Sequence, residues 1–147
     1  MAMFIRDVLS VKGDSEIYGI EPDAPVAEAV RRMVERDIGS LVVMQDGRMV
    51  GFITERDILR GMHARGCSLA DARVSELMDK EPLLCNPDDS VDYARDVLTK
   101  SRLSHLVVME NNRLVGVISF HDVAKACLKQ ANFENTLLKR YIRNWPE

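Results

Sequence analysis

Apolar residues recur at helical spacing at Val26, Ala29, Val30 and Met33, and again at Val91, Ala94, Val97 and Leu98. Each set predicts an amphipathic helix. Asp23-Ala24-Pro25 and Asp88-Asp89-Ser90 open these helices with capping oxygens, and Pro25 is expected in the first turn. A short apolar run follows each helix, Leu41 to Met44 and Leu106 to Met109, as in a buried strand. Gln45-Asp46-Gly47-Arg48 and Glu110-Asn111-Asn112-Arg113 are hairpin turns, with return strands from Met49 to Thr54 and from Leu114 to Ser119. A second helix is predicted from Glu55 to about Ala64 and from Phe120 to about Gln130. A leading strand, Glu16 to Ile20 or Leu83 to Cys85, completes the order strand-helix-strand-strand-helix in each half.

The two halves are copies. Residues 21–64 laid on 86–129, an offset of 65, give 13 identities in 44 positions without a gap. One copy alone would bury a poor core, so two copies are expected to share one domain about a pseudo-twofold axis. Phe4 to Leu9 before the first copy resembles Arg73 to Met78 before the second. In chain order, residues 1–66 hold a lead-in and the first repeat. Residues 67–130 hold a linker, near Gly66 to Arg73, and the second repeat. Residues 131–147 hold an extra amphipathic helix, Asn132 to Arg143, with Phe133, Leu137, Leu138, Tyr141 and Ile142 in one stripe, and a tail.

Composition narrows the function. The 147 residues are 46% hydrophobic, enough for a real core, and carry a net charge of −3. That balance argues against a protein built to coat nucleic acid. No apolar run is long enough for a membrane span, and the N-terminal residues show no secretory signal. Cys67, Cys85 and Cys127 form no CxxC, and His63, His105 and His121 are scattered, so no zinc framework is expected. Free thiols suit a reducing compartment, and a cytoplasmic location is the expectation.

The most informative segments are Gly51-Phe52-Ile53-Thr54-Glu55-Arg56-Asp57 and Gly116-Val117-Ile118-Ser119-Phe120-His121-Asp122. Each runs from a strand through a hydroxyl to a carboxylate at a helix start. In outline this is a helix capping box. The same geometry suits a ligand. A helix start offers unpaired N–H groups and the positive dipole end to a phosphate. A hydroxyl can donate to ribose or phosphate oxygen, and a carboxylate can accept both hydroxyls of a ribose. Arg56, with Lys12 or Arg36, would supply charge for phosphate; His121 takes the place of Arg56 in the second copy.

Together the duplication and the two glycine-hydrophobic-hydrophobic-Thr/Ser-x-x-Asp segments resemble a tandem pair of CBS domains, the Bateman module. The resemblance runs from about Arg6 to Gln130. The tail, with Glu134-Asn135 and Leu137 to Ile142, resembles that of small stand-alone bacterial CBS-pair signal-transduction proteins. The resemblance implies an α/β fold, with two pseudo-twofold-related repeats in one module plus a C-terminal helix. It implies a non-catalytic regulator with two clefts for adenosine-containing nucleotides. AMP and NAD(H) lead the expected ligands, with ADP, ATP and S-adenosylmethionine also in range. Asp57 and Asp122 would hold ribose hydroxyls, and Thr54 and Ser119 ribose or phosphate. Adenine would lie between Tyr18-Gly19-Ile20 and Ile38-Gly39-Ser40 in one cleft, and between Leu84-Cys85 and Ser104-His105-Leu106 in the other. The family often has Thr in the first strand where this chain has Gly19 and Leu84. The resemblance also implies a homodimer formed through helices. A free-standing chain would then signal energy or redox state to a separate, unidentified protein.

Three other functions compete with this one. An enzyme would need a poised base or nucleophile, and neither the histidines nor the cysteines supply one by sequence context. A nucleotide-independent interaction scaffold with vestigial sites would use its helices and the Phe133–Ile142 stripe. Nucleic-acid binding would rest on Lys139, Arg140, Arg143 and Trp145, a short patch on an acidic chain.

Overall fold

The computed structural model describes residues 3–12, 17–66 and 68–143, and the side chains of Lys12 and of residues 141–143 lie outside that description. The expectations on Lys12, Glu16, Cys67, Tyr141, Ile142, Arg143 and Trp145 therefore fall wholly or partly outside the described residues. The chain begins with helix α1 (Ile5–Lys12). The first repeat follows as β1 (Gly19–Ile20), α2 (Val26–Arg36), β2 (Ser40–Gln45), β3 (Arg48–Thr54) and α3 (Glu55–Ala64). A short helix, α4 (Val74–Leu77), leads to the second repeat: β4 (Leu84–Cys85), α5 (Val91–Ser101), β5 (His105–Glu110), β6 (Arg113–Ser119) and α6 (Phe120–Arg143). Each repeat carries one three-stranded sheet, ordered β1-β2-β3 or β4-β5-β6. The first pair of strands is parallel and the second antiparallel.

The hairpins match residue for residue. Asp46 and Gly47 (φ 53° and 77°), like Asn111 and Asn112 (φ 52° and 63°), place two successive residues in the left-handed region. That is the two-residue turn whose twist fits a hairpin, and Gly, Asn and Asp tolerate it best. Both hairpins bulge at the same place, after Val43 and after Val108. The extra residue, Val50 or Val115, lies on the return strand, where a bulge bends the strand and increases its twist.

Helix ends are less regular. Pro25 is the N-cap of α2 rather than part of its first turn, and no side chain caps that end. Ser90 caps α5 through its hydroxyl, which accepts from the Tyr93 N–H at 3.0 Å. Both α2 and α5 end on a non-glycine residue in the left-handed conformation, Asp37 (φ 54°) and Arg102 (φ 55°). A side chain there costs roughly 1 kcal/mol relative to glycine.

The chain divides into two compact units that do not follow sequence order. One is Glu16–Leu83; the other combines Met1–Ser15 with Leu84–Glu147. The lead-in before the first repeat therefore packs with the second repeat, and the one before the second packs with the first. The two docked lead-ins are equivalent in detail. Ile5 and Val74 are both fully buried. The Ile5 and Arg6 N–H groups donate to Asp89 and Pro87 carbonyls, and those of Val74 and Ser75 to Ala24 and Pro22. These acceptors are related by the same offset of 65. Local chemistry repeats too: the Phe4 N–H donates to Asp7 (2.9 Å) and the Arg73 N–H to Glu76 (3.0 Å).

Beyond α4, Met78 and Asp79 run along β3. Asp79 and Phe52 exchange both backbone hydrogen bonds, at 2.8 and 2.9 Å, so the outer edge of β3 is paired. The approach is close at Gly51, where a Cβ would stand 2.5 Å from Met78 Sδ and 3.1 Å from the Asp79 carbonyl oxygen. Gly116 has the same role beneath Leu9 of α1.

One core forms in each unit. Ile20, Val26, Ala29, Leu41, Val43, Ile53 and Val74 anchor the first. Ile5, Cys85, Val91, Leu98, Leu106, Ile118 and Val123 anchor the second. The separate helix expected from Asn132 to Arg143 is instead the continuation of α6. Gln130-Ala131-Asn132 contains neither Gly nor Pro, so nothing stops the helix there. Phe133, Leu137 and Leu138 on this extension are exposed.

Two stability predictions follow from this packing. Gly51→Val should lose about 1–3 kcal/mol by overpacking against Met78 and Asp79, read as a lower urea midpoint; an unchanged midpoint would show that the Met78–Asp79 segment yields freely. Asp37→Gly should gain roughly 0.5–1 kcal/mol by relieving the left-handed C-cap, seen as a rise in Tm, and a fall in Tm would contradict it.

Candidate functional site

In each repeat the return strand runs straight into its helix. Thr54 ends β3 and caps α3, and Ser119 ends β6 and precedes α6. Thr54 pairs across the hairpin with Ser40, and Ser119 with His105. The start of one strand, the end of the next and the start of the helix thus meet at one end of each sheet.

The capping box is built at both turns. The Thr54 N–H donates to Asp57 Oδ2 at 2.9 Å, the Thr54 hydroxyl donates to the same oxygen at 3.0 Å, and the Asp57 N–H donates to Thr54 Oγ1 at 3.2 Å. In the second repeat the Ser119 N–H donates to Asp122 Oδ2 at 2.9 Å and the Asp122 N–H to Ser119 Oγ at 3.0 Å. The next N–H in each turn is also used: Glu55 donates to the Gly39 carbonyl at 3.1 Å and Phe120 to that of Ser104 at 2.7 Å. At least three of the four donors at each helix start are therefore paired inside the repeat. This corrects the expectation of an open helix terminus ready for phosphate. What each turn offers is a fixed carboxylate. Both bonds that Asp57 accepts from Thr54 fall on Oδ2, and a carboxylate has about four acceptor positions in all.

The other expected residues divide by environment. Thr54, Asp57, Ser119 and Asp122 are half-buried, as are Tyr18, Gly19, Ile38, Gly39, Ser40 and His105. Arg56 and His121, beside the two carboxylates, are exposed, as are Leu84 and Ser104. Ile20, Cys85 and Leu106 instead put their side chains into the cores. Burial, with a smaller contribution from Asp89, pushes the Cys85 thiol up to about 12, so it is an inert packing group.

The first repeat has a feature that periodicity did not reveal. Arg32 of α2 reaches the leading strand, and its Nη1 donates to the Gly19 carbonyl at 2.7 Å. Its Nε bonds Glu28 Oε1 at 3.0 Å. Hydrogen bonds from Arg31 first, and from Arg32, hold the Glu28 carboxyl down to about 2, so this network stays ionised through neutral and mildly acidic pH. Arg36, expected as a phosphate group, lies over the Tyr18 ring at 5.0 Å from its centroid. Comparison at the offset of 65 could have signalled the asymmetry: Arg32 aligns with Val97, and Arg36 with Ser101.

On the outside of the first repeat, α2 and α3 form a groove of about 400 Å³ lined by Val30, Met33, Val34, Asp37, Ile38, Glu55, Ile58 and Leu59. Its walls are largely apolar, and Val34 and Leu59 are exposed. Among the described residues no helix is long and apolar enough to cross a membrane.

The family model for the CBS domain matches residues 5–64 and 74–129. The chain is 31% identical to the mitochondrial CBS domain-containing protein CBSX3 of Arabidopsis thaliana, over 95% of this chain and 71% of that protein. Its fold matches the CBS-domain protein ATU1752 of Agrobacterium tumefaciens, with a TM-score of 0.80 and 34% identity, over 84% of this chain and 98% of that one. It also matches the CBS domain pair of the protein MJ0100, solved with 5′-methylthioadenosine and S-adenosyl-L-methionine. There the TM-score is 0.75 at 20% identity, over 88% and 99% of the two chains. The chain belongs to the CBS domain family and carries two tandem copies of that domain.

Proposed function

We propose that this chain is a regulatory, non-catalytic sensor that binds adenosine-containing nucleotides, AMP or NAD(H) foremost, at the strand-to-helix turn of each repeat. The observation that carries the reading is the twice-built hydroxyl and carboxylate pair, Thr54 with Asp57 and Ser119 with Asp122. A ribose presents two neighbouring O–H donors. A carboxylate already anchored through one oxygen can accept both without losing its place. Arg56 and His121 stand next to these carboxylates and would meet the phosphate. The MJ0100 pair, which holds two adenosine ligands on the same fold, supports the ligand class.

Signalling follows from differential affinity. A nucleotide shifts the arrangement of the protein only as far as it binds one arrangement better than another. The apolar groove between α2 and α3 and the exposed stripe of α6 suit helix-mediated homodimerisation, and the bound nucleotide would bias that contact or one to a separate partner. Free thiols at Cys85 and Cys127 fit a cytoplasmic setting.

A thermal-shift panel of AMP, ADP, ATP, NAD, NADH and S-adenosylmethionine tests the reading. A ligand at 100 times its Kd should add ~2.7 kcal/mol, on the order of 5–10 °C for a chain of this size. The Asp57→Asn/Asp122→Asn double variant should lose that shift. A wild-type chain that responds to none of the six at millimolar concentration would leave the scaffold reading in its place. Asparagine is the better probe because the aspartates are also caps: Asp57→Ala should cost about 1 kcal/mol without any ligand, measured by urea unfolding of the free protein.

A further inference from the structure

The two repeats share a frame but not a surface. Val30 and Val34 of α2 and its C-cap Asp37 stand at i, i+4 and i+7, so they form one ridge along the groove between α2 and α3. Glu55, the first residue of α3, lies at the same end as Asp37, because its N–H bonds the Gly39 carbonyl two residues beyond. The groove thus has an apolar length, with Val34 74% and Leu59 64% exposed, and an acidic end. Among the described residues neither carboxylate is in an ion pair, and the lining of the groove holds no cation.

The second repeat does not carry this surface. At the offset of 65, Val30, Val34 and Asp37 give way to Arg95, Thr99 and Arg102, and Glu55 and Leu59 to Phe120 and Ala124. The inward positions stay apolar in both copies, Met33 with Leu98 and Ile58 with Val123, because each core needs them. The outward valines and leucine and the two acids are therefore not required by the fold of a repeat.

The extension of α6 carries the complementary pattern. Phe133, Leu137 and Arg140 also stand at i, i+4 and i+7, two apolar side chains and then a cation, over about 10 Å of helix. All three are exposed in the single chain, and among the described residues Arg140 is in no ion pair. Laid parallel to α2, this ridge sets Phe133 and Leu137 against Val30, Val34 and Leu59 and brings Arg140 to Asp37 and Glu55. Two such grooves set face to face would also cover the valines, but would leave the acids of both without a cation from either lining.

We propose that the α6 extension of a second copy of this chain occupies the groove between α2 and α3, with Arg140 on Asp37 and Glu55 fixing its direction. Exchange of the two extensions makes the contact twice and closes the assembly at two chains. This rests on the helix-mediated pairing of the reading above and names its two surfaces.

Sedimentation velocity of the nucleotide-free full chain over a concentration series tests it. Wild type should dimerise, and the Phe133→Ala/Leu137→Ala variant, changed only at exposed positions, should stay monomeric. Arg140→Asp and Asp37→Arg should each weaken the dimer about tenfold, since an exposed ion pair is broken and reversed twice per dimer. The second repeat carries arginine at the place of Asp37 in the same left-handed conformation, so the backbone accepts that change. Combined in one chain, the two reversals should recover most of the loss. A dimer of unchanged affinity in the Phe133→Ala/Leu137→Ala variant would overturn the proposal and leave the pairing to another surface. So would a double reversal no tighter than its single variants. A wild type that stays monomeric throughout would overturn both this contact and the pairing it rests on, while the nucleotide sites keep their own test in the thermal-shift panel.

Discussion

The reciprocal bonds in which a hydroxyl accepts from the backbone N–H three residues on, and the carboxylate there accepts from the hydroxyl residue's own N–H, are the constraint on which each repeat turns. They join the last residue of a core strand to the first turn of a helix with no loop between them, so strand and helix directions are fixed together. The helix then covers the sheet face, with Ile58 in one copy and Val123 in the other buried against it. The bond from Glu55 to Gly39, or Phe120 to Ser104, adds the start of the neighbouring strand to the same knot. Strand end, helix start and neighbouring strand are therefore held by one set of bonds.

Much of this is legible in the residues. The offset of 65, the two apolar runs and the Asp-Gly and Asn-Asn turns identify the hairpins because side-chain alternation and positive φ are local demands. The Thr/Ser-x-x-Asp spacing identifies the cap because three residues span one helical turn. Other features depend on contacts far apart in the chain. Nothing within Phe4 to Leu9 says which repeat it packs against, since Ile5 and Val74 fill equivalent cavities in different units. The unbroken α6 was hidden by a change of partner rather than of helix propensity: its apolar stripe leaves the core near Ala126 and continues exposed. Arg32 gives no local signal, because an arginine on a helix surface is ordinary and its bond to the Gly19 carbonyl spans 13 residues of chain.

Duplication fixes a backbone before it fixes a specificity. Turns, bulges, caps and lead-in contacts have stayed equivalent in the two copies, because each satisfies backbone groups that any copy must satisfy. Arg32 and Arg36, which reach the Gly19 carbonyl and the Tyr18 ring, carry no such obligation. The second repeat has Val97, Ser101 and Leu83 at the positions of Arg32, Arg36 and Tyr18.

The crossed lead-ins also set a schedule. On a growing chain the first repeat can close only after residues 73–79 have followed it, a short wait. Helix α1 emerges before both repeats yet finds its partners, the Pro87 and Asp89 carbonyls and the surface over Gly116, only in the second of them. Made ahead of the first repeat, it is seated after it. Its apolar side, Ile5, Val8 and Leu9, waits uncovered until the second repeat is made. A pause within the second repeat would thus leave a helix exposed on the far side of the first.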